Sequence, residues 1–176
     1  MMMERTGGIS MTGSVPSRRL ADLYEPHVGR AVALAALVGG DPDAAQDIAH
    51  EAFIRTAGRL SGLRDASAFD AYLRRTVVNL CRARARRASI ERRYSRWLVQ
   101  REIDPSPSRT EDQEILWRAL RDLPHRQRAA VVLRYFEDLS EEQAADALRC
   151  SPRAVNALVS RAMAALRERI KEEEPT

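Results

Sequence analysis

LSEEQAADALRCSPRAVNALVSRAM, residues 139–163, holds two helical patterns separated by a tight break. Ser140 followed by Gln143 is a capping-box pair, which predicts a helix start. Ala144, Ala147 and Leu148 follow as the first short helix, and the small Ala144 and Ala145 allow a second helix to cross closely. Arg149-Cys150 is the break. Ser151 then caps the second helix and Pro152 suits its first position, where a missing N–H costs nothing. Val155, Leu158, Val159, Ala162 and Leu166 recur at helical spacing and face a core. The opposite side presents Arg153, Asn156, Ser160 and Arg161. Arg bridges guanine edges or phosphates, Asn pairs with adenine and Ser contacts phosphate. The pattern fits a helix-turn-helix whose second helix enters a major groove. A simple corner between packed helices fits it too, so the rest of the chain must decide.

The 176 residues suffice for one domain or two small ones. Apolar residues make up 44% and aromatics only 5%, so the core is built largely from Ala and Leu, both strong helix formers. An all-α protein is expected. Of 29 basic residues 28 are Arg, whose planar fork suits phosphates and base edges. The two cysteines, Cys81 and Cys150, form no Cys-x-x-Cys pair and the three histidines are scattered. No metal site and no cofactor are therefore expected, and both cysteines read as small buried hydrophobes in a reducing compartment. The longest apolar stretch, Ala31 to Val38, is far too short to span a bilayer. A cytoplasmic chain with no membrane insertion and a disordered tip up to about Val15 is the expectation.

The first block runs from Pro16 to Trp97. Its opening helix carries Leu20, Leu23, Tyr24, Val28, Val32 and Leu34, and Gly39-Gly40 stops it. Asp41-Pro42 reads as a restart, with Asp41 as N-cap and Pro42 at the first helical position. In the next helix Ala44, Ile48, Ala52 and Ile54 are expected inside, while Asp43, Asp47 and Glu51 form an acidic stripe. A third helix from about Ala66 carries Phe69, Tyr72, Leu73, Thr76, Val77 and Leu80. It continues into RARARRASIERRYSRW. Between Ala71 and Arg101 stand ten Arg against a single acid, Glu91. So steep an excess reads as a phosphate-binding surface, because each phosphate contact releases counterions.

REIDPSPSRTED, residues 101–112, has two Pro, four acids and no apolar periodicity, which marks a linker over residues 98–113. The second block runs from 114 to 171. Ile115, Leu116, Ala119, Leu120 and Leu123 form one ridge, and Pro124 opens the next helix, where Ala129, Val132, Leu133 and Phe136 are expected to point inward. The expected fold is all-α, with two small helical domains joined by a flexible linker, the second a helix-turn-helix domain. From the residues alone, two classes of function stay open: DNA binding, as by a helix-turn-helix transcriptional regulator, and a scaffold whose Arg-rich faces bind acidic proteins. No P-loop or magnesium triad is visible, so the chain does not read as an enzyme.

From about Leu20 to Ile170 the chain resembles the group 4 (extracytoplasmic function) sigma factors of bacterial RNA polymerase, in particular small actinobacterial members. DAAQDIAHEAFIRTAGRL, residues 43–60, is similar to the family's D-A-E-D-L-V-Q-E-x-F-L-R-x-W stretch, with Asp47, Glu51 and Phe53 matching. The resemblance implies that Asp43, Asp47, Glu51 and Phe53 contact the β′ clamp of polymerase core. FDAYLRRTVVNLCRARARR, residues 69–87, resembles the stretch that recognises and opens the −10 element. It implies Arg74, Arg75, Asn79, Arg82, Arg86 and Arg87 as the −10 residues. Aromatic rings also stack on single-strand bases, which Tyr72 or Trp97 could supply, but a core role is the expectation for either ring. The strongest match is residues 120–167, where Arg128, Leu139, Ser140, Ala144, Leu148, Ser151, Val155, Arg161 and Ala162 agree with the family pattern. It implies Ser151, Arg153, Asn156, Ser160 and Arg161 as −35 contacts.

Three departures stand out. Asn156 replaces a frequent Lys and Ala157 a frequent Ser, which predicts a weaker or differently specified −35 contact. Arg149 stands where Gly is usual, and a positive φ there would cost about 1 kcal/mol. The implied partners are RNA polymerase core, through the β′ clamp and the β flap, and promoter DNA. An anti-sigma factor is common in the family.

Overall fold

The computed structural model describes residues 15–59, 66–94 and 110–173. The N-terminal tip, Trp97 and residues 98–109 of the expected linker lie outside the described residues. Every regular element described is helical: α1 (Val15–Gly39), α2 (Ala45–Ala57), α3 (Ala66–Tyr94), α4 (Glu111–Asp122), α5 (His125–Val131), a π-helical turn (Val132–Phe136), α6 (Glu141–Leu148) and α7 (Pro152–Glu173). Helices α1–α3 pack on one another as one cluster, and α4–α7 form the second.

The boundaries follow from local chemistry. Helix α1 ends where Gly40 takes φ 71, a conformation easy only without a Cβ. Asp41 does act as a cap, its Oδ1 accepting from the Ala44 N–H at 3.2 Å. The cap closes a turn rather than the helix itself, and regular helix starts at Ala45. Thr110 and Ser140 each make a complete capping box, with Gln113 and with Gln143, fixing the starts of α4 and α6. Ser151 caps α7 by accepting from the Ala154 N–H at 3.2 Å.

The first cluster closes over Leu34, Ala35, Val38, Ala49, Ala52, Phe53, Phe69 and Val77, all buried. Ile54, expected inside, is 73% exposed; Phe53 fills the core next to it and leaves Ile54 on the outer side of α2. In α4 the ridge holds at Ala119, Leu120 and Leu123, but Leu116 is exposed and Trp117 is buried. The larger departure is at the π-helical turn. The Glu137 N–H donates to the Val132 carbonyl five residues back (3.0 Å), so one extra residue enters the turn. That shifts the helical phase. Phe136, expected inside, swings out to 51% exposure, and Glu137 turns in to 2%.

Helices α6 and α7 pack through Ala144, Ala147, Leu148 and Val155, which are buried in one cluster, while Ala162 further along α7 is buried with Ala119, Leu120 and Val131. The corner between them puts Arg149 at φ 51, ψ 56, the left-handed region that the family's usual Gly would occupy freely. Arg149→Gly removes about 1 kcal/mol of that strain, offset in part by the greater freedom of glycine in the unfolded chain. We expect the melting temperature of the full chain to rise by about 2 °C. A fall would contradict the assignment of strain to this corner.

Candidate functional site

The acidic stripe lies on the outer face of the first cluster. Asp43 sits in the turn before α2, Asp47 in its first turn and Glu51 one turn on, and all three are exposed. Carboxylates in the first turn also complement the positive end of the helix. Glu51 pairs with Arg55 four residues on, at 2.6 Å. Phe53 does not share this surface. It is 3% exposed, and its ring lies 5.0 Å from that of Tyr24 and 5.9 Å from that of Phe69. Its aromatic payload anchors α2 from beneath and leaves the acids to face outward. His50, also on the outer side, hydrogen-bonds the Tyr24 hydroxyl.

Helix α3 divides its arginines. Arg75, Asn79, Arg82 and Arg86 recur at intervals of three and four residues and so share a face. Arg82, Arg86 and Arg87 are exposed. Arg74 is turned aside: its guanidinium is 15% exposed and bonded to Asp70 at 2.6 Å. Tyr72 is half-buried, with Arg59 over its ring at 5.6 Å.

On α7, Ser151, Arg153, Asn156, Ser160 and Arg161 are all exposed. The packed face of the same helix, Val155, Ala162 and Leu166, points the other way. Two of the polar groups are held in place. Asn156 donates to Glu141 at 2.8 Å, and the Arg161 Nε donates to the Ala157 carbonyl at 3.2 Å. A rigid helix thus offers hydrogen-bond donors at its outer face just after a tight corner, which is the arrangement that reads base edges from a major groove.

A family model described as Sigma-70 region 2 matches residues 23–90, and one described as Sigma-70, region 4 matches residues 113–166. The chain belongs to the sigma-70 family. The RNA polymerase sigma-E factor of Streptomyces avermitilis is 37% identical over 131 residues, covering 74% of this chain and 73% of that one. The sigma-E factor of Streptomyces coelicolor is 35% identical over 130 residues, with the same shares covered. Among solved structures, the sigma factor RpoE of Bartonella quintana, in complex with the anti-sigma factor NepR, superposes with a TM-score of 0.75 at 21% identity, over 89% of this chain and 99% of that one. CnrH, in complex with the cytosolic domain of CnrY, superposes at 0.60 with 23% identity, over 90% and 91%. The protein is a sigma factor, a subunit that directs RNA polymerase to promoters, and not an enzyme.

Other features of this sigma factor bear on how it works. No helix of the described residues is long and apolar enough to cross a membrane. Among the described residues no group of His, Cys, Asp and Glu could hold a metal ion. Cys81 is buried, and burial pushes its thiol up to about 12, so it stays protonated and packs as a hydrophobe. An apolar groove of about 410 Å³ opens beside the second cluster, lined among others by Leu116, Leu120, Tyr135, Phe136, Met163 and Ile170.

Sequence reasoning missed the residues that join the clusters. Arg128 is 7% exposed. Its Nε donates to the Val38 carbonyl (2.9 Å) and its Nη2 to that of Gly39 (3.1 Å), while Nη1 reaches the Arg121 carbonyl (2.8 Å). A buried arginine saturated by backbone carbonyls leaves no trace in a hydropathy pattern. Gly40 was the available signal: a Cβ there would stand 3.0 Å from the Arg128 guanidinium.

His125 lies beside this seam with its Nδ1 buried and without a hydrogen-bond partner. Burial first, and the charge of Arg128 second, lower its pKa from the ordinary 6.5 to about 4. Below the ordinary value the unfolded chain takes up a proton that the folded chain refuses. The stability is therefore complete above about pH 6.5 and is lost as the pH falls towards about 4. Urea unfolding at about pH 7 and about pH 5 checks this. The midpoint of His125→Asn should fall less over that interval than the parent's, and an equal fall would contradict it.

Proposed function

We propose that this sigma factor splits promoter recognition between two units, residues 16–97 and 114–171, tethered by residues 98–113. In this reading Asp43, Asp47 and Glu51 dock on basic residues of the polymerase β′ clamp. The α3 residues Arg74, Arg75, Asn79, Arg82, Arg86 and Arg87 take the −10 element, and Ser151, Arg153, Asn156, Ser160 and Arg161 take the −35 element. The observation that carries it is the α7 face: exposed polar side chains opposite a packed apolar face, set at a helix start by a left-handed corner. The charge order along the chain supports the rest, because the acidic surface and the arginine-rich surface lie on different helices of one unit. Two modest readers joined by a tether gain affinity through effective concentration.

The apolar groove beside α4 and α7 is, in this reading, the surface offered to the β flap, since it holds exposed Leu116, Tyr135 and Phe136. The reading also includes a cytoplasmic location and an anti-sigma partner, since two proteins of similar fold were each solved with an inhibitor or partner chain of their own.

Replacing Arg161 by Ala should lower initiation from a −35-dependent promoter about tenfold, the worth of one good base or phosphate contact, while association with core stays as it was. Equal loss of both activities would remove α7 from the groove. Reversing two acids together, Asp47→Arg with Glu51→Arg, should weaken co-elution with polymerase core about tenfold without loss of helical circular dichroism. Undiminished co-elution would take α2 out of the clamp contact.

A further inference from the structure

Asn156, on the outer face of α7, is tied across the corner to α6. Its Nδ2 donates to the Glu141 Oε2 at 2.8 Å. Glu141 opens α6, one residue after the Ser140 cap, and is half-buried, while Asn156 is exposed. The two helices do not need this bond to pack, since Ala144, Ala147, Leu148 and Val155 already share a buried core. The start of α6 does not need it either, because Ser140 and Gln143 complete the capping box. What the bond does fix is the direction of a carboxamide on the face offered to DNA.

A carboxamide has two unlike ends. Turned over, it exchanges a donor for an acceptor, so an Asn that rotates freely discriminates poorly between bases. Glu141 removes that freedom. A carboxylate accepts and does not donate, so only the Nδ2 end can face it. One of the two Nδ2 hydrogens goes to Glu141, and the other stays available beside Oδ1. The outward edge thus carries a donor and an acceptor side by side. Adenine presents the complement in the major groove, N7 accepting and the N6 amino group donating. Guanine presents two acceptors, N7 and O6, and would set one of them against Oδ1. Thymine offers an acceptor and a methyl group, and cytosine a lone amino group.

We propose that Glu141 and Asn156 act as a paired base reader: Glu141 orients the Asn156 carboxamide, and the pair selects adenine at one position of the −35 element. Asn156 is the contacting residue and Glu141 the positioning residue. The proposal rests on the assignment of the α7 face to the −35 element and goes beyond it by naming the base. Arg153 and Ser160, three residues before Asn156 and four after it, extend the same exposed face on either side. The lysine frequent at position 156 in the family has three donors and no acceptor, which suits guanine. An asparagine held by an acid reverses that preference.

The test uses the full chain assembled with polymerase core. This holoenzyme selects from duplex DNA randomised upstream of a constant transcribed segment, and the enriched sequences give a base profile of the −35 element. The parent should favour adenine over guanine at one position by about tenfold, the discrimination of one good two-bond contact. Asn156→Ala and Glu141→Ala should each cut that ratio to about threefold or less and leave the other positions as they were. Glu141→Gln should keep the preference, because its Oε1 still accepts from Asn156, and loss of it overturns the orienting bond. Asn156→Lys should turn the preference to guanine. A purely structural role would weaken every position alike, and that result overturns the proposal, as does a parent profile without an adenine position. An intact ratio in Glu141→Ala overturns the pairing, even where Asn156→Ala abolishes the preference and so leaves the α7 assignment standing. If Arg161→Ala and Asn156→Ala both leave the whole −35 profile unchanged, the α7 assignment itself falls. Should Glu141→Ala lose helical circular dichroism, Glu141→Met, which keeps side-chain length and helix propensity without a carboxylate, decides by the same ratio.

Discussion

The buried guanidinium of Arg128 holds the architecture together. It carries a charge into a site where it is 7% exposed, and it is tolerable there because three backbone carbonyls receive it. Two of those carbonyls end α1, where a helix always leaves acceptors unsatisfied. One side chain thus meets two needs, its own desolvation and the frayed end of another helix. Gly40 is part of the same solution, since its missing Cβ leaves the space that the guanidinium fills. Burial also lowers the pKa of Arg128, although an arginine has ample margin to stay charged. Lysine would offer no such planar fork.

From that joint the proposed contact surfaces take their places. With α5 clamped to the end of α1, the second cluster lies across α1 and α3, and α6 meets α3. The α7 polar face is turned outward and the acids of α2 remain on the far side of the first cluster. Both surfaces are built on helices with buried inner faces, Ala49 and Ala52 on α2, and Val155 and Ala162 on α7 beside the buried Ala144 and Ala147 of α6. Alanine-lined crossings bring helix axes close and leave little room for rotation, so the outward residues have fixed directions. Precision at a helix surface of this kind is what a groove reader requires.

Much of this was legible in the sequence because its signals are local. The capping boxes at Thr110 and Ser140, the glycine stop at 39–40 and the corner at Arg149-Cys150 depend on residues within a few positions of one another. The α7 face was legible for the same reason: one helix, one periodicity, polar residues on the side opposite Val155 and Ala162. What could not be read was non-local or out of register. The π-helical turn shifted phase by a residue, so Phe136 and Glu137 exchanged the places that a regular helix would give them. Arg74 looked like its neighbours on an arginine-rich helix, yet it faces acids 4 and 63 positions away in the chain, Asp70 and Glu137. Phe53 matched a motif whose acids lie on the surface, but its own ring packs between Tyr24 and Phe69.

The central claim is that one chain reads two separate promoter elements with α3 and α7 while bound to polymerase. Photocrosslinking tests it most directly, with a benzophenone side chain placed at Ala83 in one preparation and at Ala157 in another, each assembled with polymerase core on promoter DNA. The account predicts that the α3 probe labels the −10 region and the α7 probe the −35 region, in both cases only when core is present. Labelling of a single common patch by both probes, or equal labelling without core, would contradict it.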